Sequence, residues 1–220
     1  MTPRDEKRIQ TVVRAADDAG LAEALTLLRD GQVVVFPTDT IYGVGCDLWQ
    51  SEAVARLYEA KRRPLHRAIP VLVSDTGGVS RVARDIPPSL TAVAERFWPG
   101  GLTVVLPRRP EVPDILCAGG TTVAVRMPDE PFTRRLIAAM GGALAVTSAN
   151  LSSRAAACTA QEALTDLGGR VPLVLDGGRC RGGVASSIID LVSDPPTLLR
   201  RGGLASEALR ELLPTLVVPE

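Results

Sequence analysis

The sequence predicts an α/β fold, a single domain in which helices flank a twisted mixed β-sheet. Three observations carry that expectation. Short apolar runs such as Val33-Val34-Val35-Phe36 and Leu102 to Leu106 read as strands buried on both faces. Between such runs lie longer stretches whose apolar residues recur at helical spacing, as in Leu21, Ala24, Leu25 and Leu28. No repeat, linker or low-complexity run divides the 220 residues, a length that suits one domain.

Taken in order, a helix is expected from about Asp17 to Arg29, stopped at Gly31, then a buried strand from Gln32 to Phe36 that ends at Pro37. Thr38 to Gly45 mixes small polar residues with two glycines and reads as a strand-end loop, the place where α/β proteins hold ligands. The same loop also suits a plain glycine-rich connection, since neither P-loop nor dinucleotide spacing is present. Ser51 is the expected N-cap of the next helix, with Ala53, Val54, Leu57 and Ala60 on its inner face and Pro64 as its stop. A strand over Ile69 to Val73 follows, and Pro87-Pro88 opens a helix through Phe97. Further strands are expected at Leu102 to Leu106, Thr122 to Arg126, Ala143 to Thr147, Val171 to Leu175, Ser187 to Val192 and Thr197 to Arg200. Helices are expected at Phe132 to Met140, from a capping box at Thr159 and Glu162 to about Leu167, and at Glu207 to Leu213.

Hydrophobic residues make up 45% of the chain and aromatics only 3%, so the core must be built from Val, Leu, Ile and Ala. Acidic and basic residues balance at 25 each, and no net field points to nucleic acid or membrane, although a local basic patch is still allowed. No run approaches the roughly 18 apolar residues of a membrane span, and the charged segment Met1 to Gln10 lacks the apolar stretch of a signal peptide. A cytoplasmic protein with no membrane partner is the expectation. Cys46, Cys117, Cys158 and Cys180 are scattered, with no Cys-x-x-Cys and one histidine, His66. A reduced compartment fits them better than a zinc site or a disulfide framework, and no protein-held metal is expected.

Lysine occurs only at Lys7 and Lys61 among 25 basic residues, which draws attention to Lys61-Arg62-Arg63-Pro64. A compact ammonium and a planar guanidinium two residues apart can grip a polyphosphate from two geometries. Taken alone, the stretch equally reads as a solvated helix end, favoured there by the helix dipole. Thr38, Thr40, Lys61, Arg63, Arg126, Ser148, Asn150 and Arg200 all fall at strand ends or loops, an inventory suited to anions and small polar groups. Ser148-Ala149-Asn150 also suits an ordinary turn. The glycines around Arg179 and Arg181 suit either a mobile anion-binding loop or a flexible hairpin. His66 stands near no nucleophile motif, so Ser-His-Asp chemistry is not expected. The residues by themselves lead to a nucleotide or phosphorylated ligand.

An ordered set of motifs then extends this reading. Phe36-Pro37-Thr38-Asp39-Thr40-Ile41-Tyr42-Gly43-Val44-Gly45, Lys61-Arg62-Arg63-Pro64, Phe97-Trp98-Pro99-Gly100-Gly101-Leu102-Thr103, Val123-Ala124-Val125-Arg126-Met127-Pro128 and Thr147-Ser148-Ala149-Asn150-Leu151-Ser152 follow one another. Asp176-Gly177-Gly178, Gly182-Gly183-Val184 and Leu199-Arg200 continue the match. Together they resemble the YrdC-like threonylcarbamoyl-adenylate synthases, in their single-domain form, from about Ala22 to Leu204. The resemblance implies a YrdC-like, dsRBD-like α/β twist over residues 14–204, with 205–220 as a closing helix and tail. It implies synthesis of threonylcarbamoyl-adenylate and pyrophosphate from L-threonine, bicarbonate or CO2, and ATP. Mg2+ would enter with the ATP. Implied partners are tRNA and the complex that transfers the threonylcarbamoyl group to it.

By the same resemblance, Lys61 and Arg63 hold the triphosphate and carry the catalysis, and Ser148 and Asn150 complete the nucleotide site. Arg67, Thr122 and Arg200 are further ATP positions. Thr40, Arg126 and the backbone at Val146 correspond to the threonine site, with Arg126 pairing the carboxylate. Four positions depart from the pattern: Arg67 stands where relatives often have Asn, Leu72 where some have His, Ser153 for Gly, and Asp39 for Glu. Two other readings belong to different classes. One is a non-catalytic RNA-binding module of the same fold. The other is a carbamoyl-transferring relative of the kind found in larger hydrogenase-maturation proteins, disfavoured here because fused domains and zinc-finger cysteines are missing.

Overall fold

A computed structural model describes residues 9–219. The expectations for the charged N-terminal segment and Lys7, and for the terminal Glu220, fall largely or wholly outside the described residues. Among the described residues, ten strands form one sheet: β1 (Val12–Ala15), β2 (Val34–Phe36), β3 (Gly43–Cys46), β4 (Val71–Val73), β5 (Leu102–Pro107), β6 (Thr122–Arg126), β7 (Ala143–Ser148), β8 (Leu173–Asp176), β9 (Ser187–Asp190) and β10 (Thr197–Arg200). Their spatial order is β1-β8-β2-β3-β7-β4-β6-β5-β9-β10. Parallel pairs (β1/β8, β2/β8, β4/β6, β5/β9) sit among antiparallel ones, so the sheet is mixed. The α-helices are α1 (Asp18–Arg29), α2 (Ser51–Lys61), α3 (Val79–Val82), α4 (Ser89–Phe97), α5 (Pro131–Ala139), α6 (Ala160–Leu167) and α7 (Ser206–Leu212).

The strands divide their side chains between two cores by simple alternation. Val35 of β2, Val71 and Val73 of β4, Ala143 and Ala145 of β7 and Val174 of β8 join the larger core, with α2, α3, α4, α6 and α7. Their neighbours Val34, Phe36, Leu72, Leu144, Val146, Leu173 and Leu175 point the other way, beneath α1 and α5. Both cores are mostly aliphatic, as the composition demands. Helices α1 and α5 are too few to cover their whole face of the sheet. Toward β5, β6, β9 and β10 that face stays open, and alternation presents Thr103, Val105, Ala124, Arg126 and Ile188 to it while Leu102, Val104, Val123, Val125 and Ile189 fill the core behind. The open face is the floor of the site.

Several local expectations change. The N-cap of α2 is Gln50, with no side-chain cap bond, and Ser51 is already helical. The glycines of the expected Thr38–Gly45 loop partly belong to strand β3, where they permit close approach. A Cβ on Gly45 would meet the Ala145 carbonyl oxygen at 2.7 Å, and one on Gly43 the Val146 side chain at 2.9 Å. Ser148 ends β7 rather than following it. Besides β3, the short helix α3 and strand β1 go beyond the sequence reading, and the expected boundary at residue 14 falls inside β1. Helix α7 and the tail pack on the larger core through Leu209, Leu213 and Leu216, and Val217 bridges to Thr197.

Candidate functional site

A cleft of about 410 Å3 opens on the uncovered sheet face, within the ~300–1,000 Å3 usual for small-molecule sites. Thr40, Arg63, Arg126, Val146, Ser148, Asn150 and Arg200 line it, together with Thr38, Tyr42, Leu72, Thr103, Arg154 and Ser186.

Arg126 closes β6 and is 6% exposed. Its Nε donates to the Gly100 carbonyl at 2.8 Å, one terminal nitrogen to Thr40 Oγ1 at 2.8 Å, and the other pairs with Asp39 Oδ1 at 2.5 Å. Burial lowers the pKa of this guanidinium, and the Asp39 carboxylate offsets part of that. Thr40 is held in turn by the turn after β2, where the Thr38 hydroxyl donates to the Ile41 carbonyl at 2.6 Å and lies 3.1 Å from Thr40 Oγ1. Arg200, on β10, donates to the Ser186 carbonyl at 2.8 and 3.0 Å and to Ser186 Oγ at 3.0 Å, and Ser186 Oγ lies 2.7 Å from Thr103 Oγ1. Burial lowers its pKa too, and so does the charge of Arg126. Arg63 donates to the carbonyls of Arg67 at 2.9 Å and Ala68 at 2.7 Å and is likewise lowered by burial. Of the four arginines that line this half-dry cleft, Arg63, Arg126 and Arg200 are made less favourable as cations, an electrostatic setting that a polyanion relieves.

Lys61 and Arg63 point in different directions. Helix α2 ends with Arg62 in the left-handed conformation at φ 50°, a turn that reverses the chain between them. Arg63 lines the cleft, whereas Lys61 is 1% exposed and lies behind its wall. The Lys61 Nζ donates to the carbonyls of Ser148 and of Asn150 (2.5 Å for the latter) and lies 3.5 Å from Asn150 Oδ1. Its own carbonyl accepts from Ser152 N at 3.0 Å. Burial, and then the charge of Arg63, push its pKa down to about 7, with Asp166 opposing. Asn150 is fixed further by donating to the Leu151 and Arg154 carbonyls at 2.9 and 2.7 Å. Lys61 is the clamp behind the Ser148–Asn150 turn.

Of the other expected ATP residues, Arg67 is exposed and Thr122 half-buried, and neither lines the cleft. Arg67 contributes its carbonyl, which accepts from Arg63 and from the Tyr58 hydroxyl at 2.9 Å each. Thr122 shares strand parity with Arg126 but sits at the far end of β6, opposite Pro107. The glycine loop 177–183 packs on the rim, Gly182 N and Gly183 N donating to the Asp39 and Thr40 carbonyls at 2.8 Å each. Its arginines turn to carboxylates, Arg181 to Asp129 at 3.1 Å and Arg179 to Glu162 at 3.6 Å, and neither lines the cleft.

Sequence reasoning missed Ser186, Thr103, Arg154 and Tyr42. Thr103 was visible as the polar residue in an apolar strand. Tyr42 anchors the glycine loop: its hydroxyl donates to the Gly178 carbonyl at 2.7 Å and accepts from Gly177 N at 3.1 Å, while burial raises its pKa to about 12. Tyr42→Phe is expected to cost about 1–2 kcal/mol, the worth of two such bonds, read as a lower urea midpoint with unchanged m-value. An unchanged midpoint would show that the loop does not depend on this anchor.

The family model Sua5/YciO/YrdC, described as "Telomere recombination", matches residues 26–202. The chain belongs to the Sua5/YciO/YrdC family. Among members of that family, the threonylcarbamoyl-AMP synthase of Pyrococcus abyssi is 38% identical over 190 residues, covering 86% of this chain and 56% of the relative. That of Bacillus subtilis is 37% identical over 200 residues, covering 90% and 58%. The crystal structure of P. abyssi Sua5 complexed with L-threonine superposes with a TM-score of 0.90 at 35% identity, over 96% of this chain and 62% of that one. The chain thus spans little more than half the length of the two synthases. Among the described residues, no helix is long and apolar enough to cross a membrane.

Proposed function

We propose that this chain is an L-threonylcarbamoyladenylate synthase, acting on ATP, L-threonine and bicarbonate or CO2. The observation that carries the reading is the convergence of Arg63, Arg126 and Arg200 with Ser148 and Asn150 around one cleft, in a family whose similar members bear that name. The threonine amine takes up CO2 as a carbamate, and a carbamate oxygen attacks the α-phosphorus of ATP as pyrophosphate leaves. No protein nucleophile is needed. Alignment and positive charge on the phosphates supply the rate. In this reading Arg63 and Arg200 meet the phosphates, Ser148 and Asn150 complete the nucleotide site, and Arg126, Thr40 and the Val146 backbone hold threonine. Lys61 acts through the turn it clamps rather than by touching the triphosphate.

The lining offers hydroxyls, an amide and guanidiniums, and the carboxylate beside it, Asp39, is engaged by Arg126. Among the described residues no cluster of three His, Cys, Asp or Glu side chains could hold a metal. That donor set fits Mg2+ arriving on ATP, held by phosphate oxygens and water. The product would pass to a complex that transfers the threonylcarbamoyl group to tRNA.

The test is pyrophosphate release from Mg-ATP with threonine and bicarbonate, against omission of each. Release should require both. Release indifferent to threonine would overturn the reading, and tight tRNA binding without ATP turnover would favour an RNA-binding module instead.

A further inference from the structure

Two of the four cysteines meet at the rim of the cleft. Cys46 and Cys117 are buried in the larger core, and burial pushes both thiols up. Cys158 and Cys180 are half-exposed and lie on facing segments: Cys180 on the glycine loop, Cys158 on the segment that follows the Ser148–Asn150 turn. Cys180 N donates to the Cys158 carbonyl at 2.9 Å. With N–Cα at about 1.5 Å and a carbonyl oxygen about 2.4 Å from its own Cα, this one bond keeps the two Cα atoms within about 6.8 Å, the outer limit that a disulfide spans.

The surroundings hold both segments in register. Cys158 N donates to Glu162 Oε2 at 2.6 Å, and Tyr42 N donates to the adjacent Ala157 carbonyl at 2.8 Å. On the loop side, the Tyr42 hydroxyl fixes Gly178, and Gly182 and Gly183 are bonded to Asp39 and Thr40. The Cys158 sulfur rests 4.0 Å from the Gly183 carbonyl oxygen, at the exposed edge, while Cys180 packs against the core.

We propose that Cys158 and Cys180 form a reversible disulfide, with a hydroperoxide as oxidant, that fastens the glycine loop 177–183 to the wall of the cleft. The more open Cys158 thiolate attacks a peroxide oxygen, the O–O bond breaks, and one water leaves with Cys158 as a sulfenic acid. Cys180 then attacks that sulfur, the S–O bond breaks, a second water leaves, and the S–S bond forms. Two thiols and one hydrogen peroxide give one disulfide and two waters. The second role falls to Cys180, the less open thiol: burial raises its pKa, a main-chain bond from Thr38 opposes this, and the nearby Cys158, Asp39 and Glu130 raise it further.

The experiment treats the full chain with a small excess of hydrogen peroxide, alkylates free thiols after unfolding, and maps peptides without reduction. A Cys158–Cys180 peptide pair lighter by two hydrogens is expected, reversed by dithiothreitol, with Cys46 and Cys117 alkylated. Cys180→Ser should instead trap a dimedone adduct at Cys158. Amide exchange at Gly182 and Gly183 should slow at least tenfold in the oxidised protein. If wild type keeps both thiols free under conditions that fully label Cys158 in the Cys180→Ser variant, or if cross-links form elsewhere, the disulfide is refuted. Unchanged exchange in the cross-linked protein would refute the fastening of the loop. None of these readouts depends on the proposed catalytic activity.

Discussion

Arg126→Lys is expected to lower threonine-dependent pyrophosphate release about 100-fold in kcat/KM, chiefly through KM for threonine. That ratio corresponds to about 2.7 kcal/mol of lost transition-state binding. The guanidinium satisfies Asp39, Thr40 and Gly100 at once from three nitrogens, which leaves two of its five N–H donors for a substrate carboxylate. A lysine ammonium is a single point and cannot reach three divergent acceptors and a ligand together. Stability should fall as well, by about 1–3 kcal/mol for each buried partner left unpaired. Arg126→Met leaves Asp39 as an uncompensated buried charge, at a cost of about 3–5 kcal/mol. The double variant Asp39→Asn with Arg126→Met separates the two effects: it should regain much of the urea midpoint and none of the threonine dependence. An Arg126→Lys protein with wild-type KM for threonine would place the carboxylate elsewhere in the cleft.

The fold was legible where a signal was local. Val33 to Phe36 and Leu102 to Leu106 announce strands because both faces are buried, and α1 and α5 announce themselves by periodicity over several turns. Strand β1 escaped because its Val-Val-Arg-Ala sits at the sheet edge, largely exposed after its first residue and without alternation. The order of strands is a property of contacts far apart in sequence. Only pairing of β9 with β5, and of β10 with β9, brings Arg200 beside Arg126. Residue patterns could propose that Arg200 belongs with Arg126 but could not derive it. Direction was illegible for a related reason. Lys61, Arg63 and Arg67 lie within seven positions, yet one left-handed residue sends Lys61 inward and Arg63 to the cleft, and Arg67 matters through its carbonyl. Ser186 gave no signal because its importance comes from Thr103 and Arg200, both remote in sequence.

Lys61→Met should be separable from a simple loss of charge by its pH dependence. In the unfolded chain the lysine keeps its ordinary pKa near 10.5, and in the fold it lies at about 7. Between those values the unfolded chain holds a proton that the native protein lacks, so native stability rises with pH across that window, by up to about 1.4 kcal/mol per pH unit. Below pH 7 both states are protonated and the penalty of burying the ammonium is constant and full. Lys61→Met removes both the slope and the penalty, but leaves the Ser148 and Asn150 carbonyls without their donor. Urea unfolding at pH 6, 7.5 and 9 should therefore give lines of different slope, with the variant comparing best at pH 6. In the proposed ATP complex the same proton would link to the nucleotide, because a triphosphate beside the Ser148–Asn150 turn would favour the charged amine and raise its pKa. ATP affinity of the wild type should weaken as pH climbs above 7, toward tenfold per unit, relative to Lys61→Met measured in parallel. Parallel titration lines for the two proteins would mean that the amine does not change charge in this range. A clamp that gives up much of its charge above pH 7 in the empty cleft, and would regain it beside the phosphates of the proposed ligand, gives an ammonium a use here that a guanidinium lacks, since a guanidinium would stay charged in both states.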